Sequence, residues 1–415
     1  MKILFITLGG VSNFSGSGIY TDLLKKFSRE GHEVFVVGSI EKRYCAETEL
    51  TQEFGVNVLR VKIGNITKTN MIEKGISTIM IGRQYQKAIE KFFNNVLFDL
   101  ILYTTPPITI AGVVRKLKKK YNSFTYLLLK DIFPQNAIDI GILSKKGIKG
   151  LIYLYFKLIE KQLYDVSDCI GCMSQANIDF IIREEGINKD KVEICPNTLD
   201  VIETIKVKNK DELLEKYNIP KNKYLLLYGG NFGKPQSVTY IVEVLKKASV
   251  IENIHFILCG SGTDYSILEK YYMENRPSHV TLMNHLPYKE YAKLVSVCDM
   301  GLLFLDYRFT IPNYPSRLLD YMNYSLPVIA ATDINTDVGE DIVEGDFGWW
   351  IESRDPDEYI KLLKAIFENS NIKEEISEKS RNAKKYLIEN FETSRAYDII
   401  IKSYYKEKCG INDVE

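Results

Sequence analysis

The chain has 415 residues, 45% of them hydrophobic and 26% charged, with a formal net charge of zero. That is about twice the length one hydrophobic core serves, so two domains are expected. The composition excludes collagen-like, disordered and disulfide-scaffold classes, and seven scattered cysteines fit reduced thiols in a cytosol.

Ile3–Leu8 reads as a first strand, because its apolar run is short for a signal peptide. A glycine-rich loop, Gly9 to Gly18, leads into an amphipathic helix, Ile19–Glu30, with Leu23, Leu24 and Phe27 on one face. Gly31 ends it and Glu33–Gly38 is the second strand. Gly16 and Gly18 sit where a flexible loop meets a helix start, a place that attracts phosphate. Thr21 stands where a dinucleotide fingerprint needs its third glycine, and Val37-Gly38-Ser39 offers no acidic partner for a ribose. An NAD site is therefore disfavoured.

Basic residues gather next. Residues 1–200 carry 27 Lys+Arg against 21 Asp+Glu, and Arg60 to Lys161 carries 18 against 6. Such a face suits anionic lipid or a polyphosphate; for any single lysine, a solvated helix face explains it equally well. Further strands are expected at Leu100–Tyr103, Phe124–Leu129 and Cys169–Met173. Cys169 and Cys172 lack the second pair a zinc site needs and read as core thiols. Leu151–Ile159 is assigned to the core on its helical face, with neighbouring lysines making a peripheral membrane contact.

The segment from Asn197 to Lys223 is polar, contains the turn signal Asn218-Ile-Pro220 and reads as a linker. The pattern then repeats. Tyr224–Tyr228 is a strand, Gly229-Gly230 follows, and a helix is expected near Val238–Ala248. Lys234 would project near the helix start, where a cation can stabilise a diphosphate leaving group; a surface lysine in a turn is the plain alternative. His255–Leu258 is a strand capped by Gly260 and Gly262. After the strand Met300–Leu305, Pro315 and Ser316 suit a helix start whose free amides would face phosphate. Arg317 either assists there or is solvated. Asp320, one turn on, can accept both hydroxyls of a ribose. Val328–Ala331 is another strand. Asp355-Pro-Asp357 resembles a metal-binding D-x-D. It reads better as a helix cap, with Asp355 at the N-cap, Pro356 at N1 and Glu358 completing a capping box. The four histidines lack metal spacing, so no metal or other cofactor is expected. A helical pattern from Ile372 to Lys408 closes the chain. No stretch reaches the roughly 18 apolar residues of a membrane span.

Strand, helix, strand with long crossovers means parallel sheets, so the fold class is α/β with two doubly wound domains facing across a cleft. The expected division is 1–197 and 198–385, one domain for an acceptor and the other for a donor. The closing helix, 386–415, is expected to pack back on the first domain.

Several segments resemble the retaining glycosyltransferase family 4 of GT-B fold. They include Gly31-His-Glu-Val34, Gly260-Ser-Gly262, Leu286-Pro-Tyr-Lys-Glu-Tyr291 and Leu319-Asp-Tyr-Met-Asn-Tyr-Ser-Leu-Pro-Val328. Lys130-Asp-Ile-Phe-Pro-Gln135, with Asp139-Ile-Gly-Ile-Leu143, is similar to the bacterial capsule and O-antigen subgroup that includes fucosamine-transferase-like enzymes. So is Gly230-Asn-Phe-Gly-Lys-Pro-Gln236. The family's E-x7-E motif keeps only its second acid, as Asp320, because Pro312 holds the first position. Asn231 replaces the usual Arg and Gln236 the usual Lys.

The resemblance implies retaining transfer from a UDP-sugar, an N-acetylated amino sugar by subgroup, to a prenyl-diphosphate-linked saccharide. It implies donor binding by Gly230, Asn231, Lys234, Gly260, Gly262, Pro287, Ser316, Arg317 and Asp320, beside Gly16 and Gly18. Lys234 would stabilise the leaving group. Asp131, just after Phe124–Leu129, would face sugar or acceptor; a loop-capping role for it stands equally. The expected place is the cytoplasm, at the inner face of the plasma membrane, with no nucleic-acid partner. An inactive transferase-like binding subunit and a sugar-nucleotide epimerase of the same fold are the competing readings.

Overall fold

Runs at Leu100–Thr104, Phe124–Leu129, Met300–Phe304 and Val328–Thr332 are buried at every position. Strands without an exposed face belong in the middle of a sheet covered on both sides. The computed structural model of the chain, which describes residues 1–9, 11, 14–67, 69–203, 207 and 209–410, places them so. Gly10 of the first glycine loop, residues 204–206 and 208 of the expected linker, and 411–415 of the closing helix lie outside the described residues.

The chain forms two units. One is Met1–Asp200 together with the chain from Glu392 onward; the other is Val201–Phe391. The first holds β1 (Lys2–Ile6), β2 (Glu33–Glu41), β3 (Glu49–Glu53), β4 (Val56–Ile63), β5 (Leu100–Thr104), β6 (Phe124–Leu129), β7 (Cys169–Cys172) and β8 (Val192–Ile194). Their order is β3-β4-β2-β1-β5-β6-β7-β8. All pairings are parallel except β3 with β4, an edge hairpin. The second unit holds β9 (Tyr224–Asn231), β10 (Ile254–Ser261), β11 (Val280–Asn284), β12 (Met300–Phe304), β13 (Val328–Thr332) and β14 (Gly348–Glu352). The order is β11-β10-β9-β12-β13-β14, parallel throughout.

The helix Ile19–Arg29 buries Leu23, Leu24 and Phe27 against the first sheet. Gly31, at φ 80°, supplies the left-handed turn that ends it. That core is completed by Ala396, Ile400 and Ile401 from the far end of the chain. Tyr397 stacks near Phe27 at 5.1 Å and bonds His32 Nε2 at 3.1 Å. The thiols of Cys172 and Cys195 are buried in this unit, and burial pushes them up to about 12 and about 11.

Three expectations need correction. The closing pattern is two helices, Ile372–Phe391 and Thr393–Cys409. Glu392 between them is extended and pairs with Leu199, while Thr393 N–H donates to the Leu199 carbonyl at 3.2 Å. Leu151–Ile159 lies in the helix Gly147–Val166, but Leu151, Ile152, Leu154, Tyr155 and Leu158 are exposed rather than in the core. Asp355 does cap its helix, accepting from Asp357 N–H at 2.9 Å. Glu358 completes no capping box, because its carboxylate takes Lys361 instead at 2.6 Å.

Candidate functional site

In the second unit the chain fills β10 and β11 on one side of β9, then β12, β13 and β14 on the other. The order reverses between β9 and β12, and ligands of open α/β sheets bind beyond the strand ends at such a point. A cavity of about 410 Å³ opens there. Its walls are Gly229, Gly230 and Asn231 from β9, Cys259 from β10, His285, Leu286, Tyr288 and Tyr291 beyond β11, and Ser316, Arg317 and Asp320 beyond β12.

Two glycines shape the end of β9. A Cβ on Gly229 would stand 1.9 Å from the Tyr291 hydroxyl, so the absent side chain admits that ring. Gly230 has φ 129°, a conformation other residues avoid. Gly229 N–H donates to the Tyr321 hydroxyl at 3.0 Å. This ties the helix Arg317–Asn323, and with it Asp320, to the strand end. Asp320 itself is exposed on the cavity wall.

Arg317 is the strongest feature of the site. Its guanidinium lies over the Tyr228 ring, 4.4 Å from the centroid. Its Nη1 is buried and has no hydrogen-bond partner among the described residues. An unpaired buried donor costs about 1–3 kcal/mol, more when charged. Arg317 is half-buried in the wall, with a donor that an anionic ligand could engage.

Ser316 stands at the N-cap without a side-chain cap bond, and the helix it opens is seven residues long. So short a helix has a weak dipole. The positive potential therefore rests on Arg317 more than on the helix start.

The loop after β9 is closed by its own side chains. Asn231 Nδ2 donates to Gln236 Oε1 at 3.0 Å, and Gly233 N–H donates to the same oxygen at 3.1 Å. Gln236, expected to replace a ligand-binding lysine, is instead a buried clamp of the loop. Lys234 is exposed on this turn and is not among the lining residues.

Gly260 and Gly262 also fall outside the lining, for a packing reason. A Cβ on Gly260 would lie 1.8 Å from the Gly230 carbonyl oxygen, and one on Gly262 would lie 2.1 Å from that of Phe232. They let β10 press against the β9 loop. Pro287 is the N-cap of the helix Tyr288–Val295, next to the lining but not in it.

Gly16, Gly18 and Asp131 belong to the first unit and do not line this cavity. Gly18 is extended, at φ 176°, and the loop is held by its neighbours. Lys25 Nζ donates to the Gly16 carbonyl at 2.9 Å, and Ser17 donates to Asp22 at 2.6 Å. Asp131 N–H donates to Thr105 Oγ1 at 3.1 Å, and burial lifts its carboxyl to about 6.

Sequence reasoning missed His285, Tyr288 and Tyr291 as lining residues. The signal available was the pair Tyr288 and Tyr291, three apart and so on one helix face directly after Leu286-Pro287.

Two doubly wound α/β units in tandem, with a cavity at the switch point of the second, define the GT-B class. Residues 209–383, which lie within the second unit, match the family described as Glycosyl transferases group 1. The chain is 22% identical to the probable glycosyltransferase WbjE of Pseudomonas aeruginosa over 272 residues, 65% of this chain and 66% of that one. It is also 22% identical over 317 residues to WcaI of Escherichia coli K12, which carries the provisional description of a colanic acid biosynthesis glycosyl transferase. Here 72% of this chain and 75% of the relative are covered. The chain thus spans about two thirds to three quarters of these relatives.

Among solved structures, sucrose-phosphate synthase of Thermosynechococcus elongatus superposes with a TM-score of 0.73 at 14% identity. The match covers 99% of this chain and 100% of that one. HepE of Anabaena in complex with UDP-glucose gives 0.69 at 13% identity, covering 97% and 99%. At these identities the likeness establishes the fold.

Proposed function

We propose that the chain is a glycosyltransferase of bacterial cell-surface polysaccharide biosynthesis, of the capsule or O-antigen kind. It takes the sugar of a nucleotide sugar bound at the β9/β12 cavity and passes it, with retention, to a lipid-linked saccharide. The observation that carries this reading is the buried, unpartnered Nη1 of Arg317 beside Gly230 and Ser316. A diphosphate oxygen is the natural acceptor for such a donor. The solved neighbour HepE binds UDP and UDP-glucose, and WbjE and WcaI are described as glycosyltransferases.

In the proposed reaction the bond from the sugar carbon to the diphosphate oxygen breaks and one to the acceptor oxygen forms on the same face. The acceptor proton passes to the departing phosphate oxygen, so no strong protein base is required. Arg317 stabilises the charge that grows on the diphosphate, Lys234 adds a second cation from the loop, and Asp320 holds the ribose diol. The first unit supplies Asp131 toward the acceptor. No metal is needed in this scheme. UDP with an N-acetylated amino sugar is the proposed donor. The proposed place of work is the cytoplasmic face of the plasma membrane, with the basic first unit toward the lipid. No described helix is long and apolar enough to cross a membrane.

Thermal-shift measurements with UDP-, GDP- and dTDP-sugars test the donor site. One donor class raises the melting temperature of the wild type. Asp320→Ala abolishes that rise, and Arg317→Met weakens binding roughly 10–100-fold, the loss of one charge-assisted hydrogen bond. An unchanged shift in Asp320→Ala overturns the assignment. Pro312 and Asn231, where the family keeps charged groups, favour a second reading as a binding subunit; donor binding without turnover on any acceptor would establish it.

A further inference from the structure

The helix Gly147–Val166 turns an apolar stripe outward. Ile148, Leu151, Ile152, Leu154, Tyr155 and Leu158 fall on one arc of its first three turns, and all are exposed. Ile148 is 80% exposed, Leu151 69% and Leu158 62%. The opposite side faces the protein: Gly150 is buried, and Phe156 packs on Phe133 at 5.1 Å. Single exposed aliphatics are ordinary, but this many on one helix face is a patch that something covers.

The patch has company. The helix Met71–Phe92 exposes Ile72, Ile76 and Ile79 along its first half. Both helices pack against the same short turn, Ile108–Ile110. One contact there is Thr109 Oγ1 donating to the Thr78 carbonyl at 3.0 Å. The helix Met71–Phe92 lies between β4 and β5, and the helix Gly147–Val166 lies on the connection from β6 to β7.

Charge decides between possible occupants. Lys145, Lys146, Lys149 and Lys161 are exposed around the stripe. No Asp or Glu occurs between Asp139 and Glu160. Glu160 is buried and held by Lys157 at 2.8 Å and by Tyr164 at 2.9 Å. An apolar stripe that includes a tyrosine and is flanked by lysines matches a headgroup layer of anionic lipid better than a protein face.

We propose that the first half of the helix Gly147–Val166, with the neighbouring start of Met71–Phe92, is the surface by which the protein docks on an anionic bilayer. The aliphatic side chains enter the acyl boundary while the lysines meet the headgroups. The surface deepens the membrane side of the function proposed above and rests on that reading only for its lipid-linked acceptor.

Sedimentation of the full chain with vesicles tests this. Vesicles of phosphatidylcholine alone are compared with vesicles carrying about 30 mol% phosphatidylglycerol, enough to set a negative surface potential. The wild type is expected to partition onto the anionic vesicles at least tenfold more strongly, and less so as salt rises. The double variant Leu151→Glu with Leu158→Glu should lose at least tenfold of that partitioning. Lys145→Glu with Lys149→Glu should weaken it and flatten the salt response. All four positions are exposed, so both variants should keep the wild-type melting curve and circular dichroism. Equal binding to neutral and anionic vesicles, or variants that bind like wild type, overturns the proposal. So does a solution dimer that the leucine variant splits, which would make a second copy the occupant. The donor-induced thermal shift is unaffected in the leucine variant. A missing shift in the wild type with vesicle binding intact would defeat the transferase reading alone.

Discussion

Arg317 and Asp131 are both half-buried ionisable groups, and they differ in how burial is offset. Arg317 stacks on Tyr228 and keeps one donor unused. Asp131 has its carboxyl lifted to about 6 by burial. A carboxyl whose folded pKa exceeds its unfolded value near 4 stabilises the fold below about pH 4, and that contribution is lost as pH rises through about 6. Compared with Asp131→Asn, the wild type should therefore lose about 1–3 kcal/mol of stability between pH 4 and 7. Thermal melts across that range measure the difference, and a gap that does not change with pH refutes the burial argument. In transfer assays Asp131→Asn should be slow at every pH; full activity would remove Asp131 from the acceptor side while leaving the stability argument intact. Asp320 and Ser316 could be found from sequence because local helix-start chemistry marks them. The state of Arg317 could not, because it depends on Tyr228, far away in the chain, and on the space beside Gly230.

At the scale of elements, the β9–β10 contact decides whether the cavity exists. Gly260 lets the two strand ends meet, and any side chain there would strike the Gly230 carbonyl. Gly260→Ala should cost about 1–3 kcal/mol of stability through overpacking and should weaken donor binding with it. Chemical denaturation reads the first effect, and a melting midpoint equal to wild type would show that the loop gives way freely. The central strands were legible because strands buried on both faces have continuous apolar runs. Two elements depart from expectation because of contacts their own segments do not encode. Periodicity shows that a helix has an apolar stripe but not which side the protein covers, so Leu151–Ile159 was placed inward. The break at Glu392 carries no glycine or proline; it arises from pairing with Leu199, a partner nearly two hundred residues away.

For the whole molecule, the two units are not equivalent along the chain. The second unit is one continuous stretch, Val201–Phe391, while the first closes over Ala396, Ile400 and Ile401. A fragment spanning 201–391 should melt cooperatively by itself. Ending the chain after Phe391 should strip cover from Phe27 and Phe124, which pack on Tyr397 and Tyr404. The first unit should then lose its calorimetric transition while the second keeps its own; survival of both would show the last helix to be dispensable.

That interrupted first unit also sets a timetable. On a ribosome its sheet emerges complete at about residue 200, yet the helix Thr393–Cys409 that seals it follows only after the whole second unit has been made. At roughly 5–20 residues per second the delay is on the order of 10–40 s. During that interval the face awaiting Ile400 is open to chaperones and to neighbouring nascent chains. The second unit, by contrast, needs nothing made later than itself.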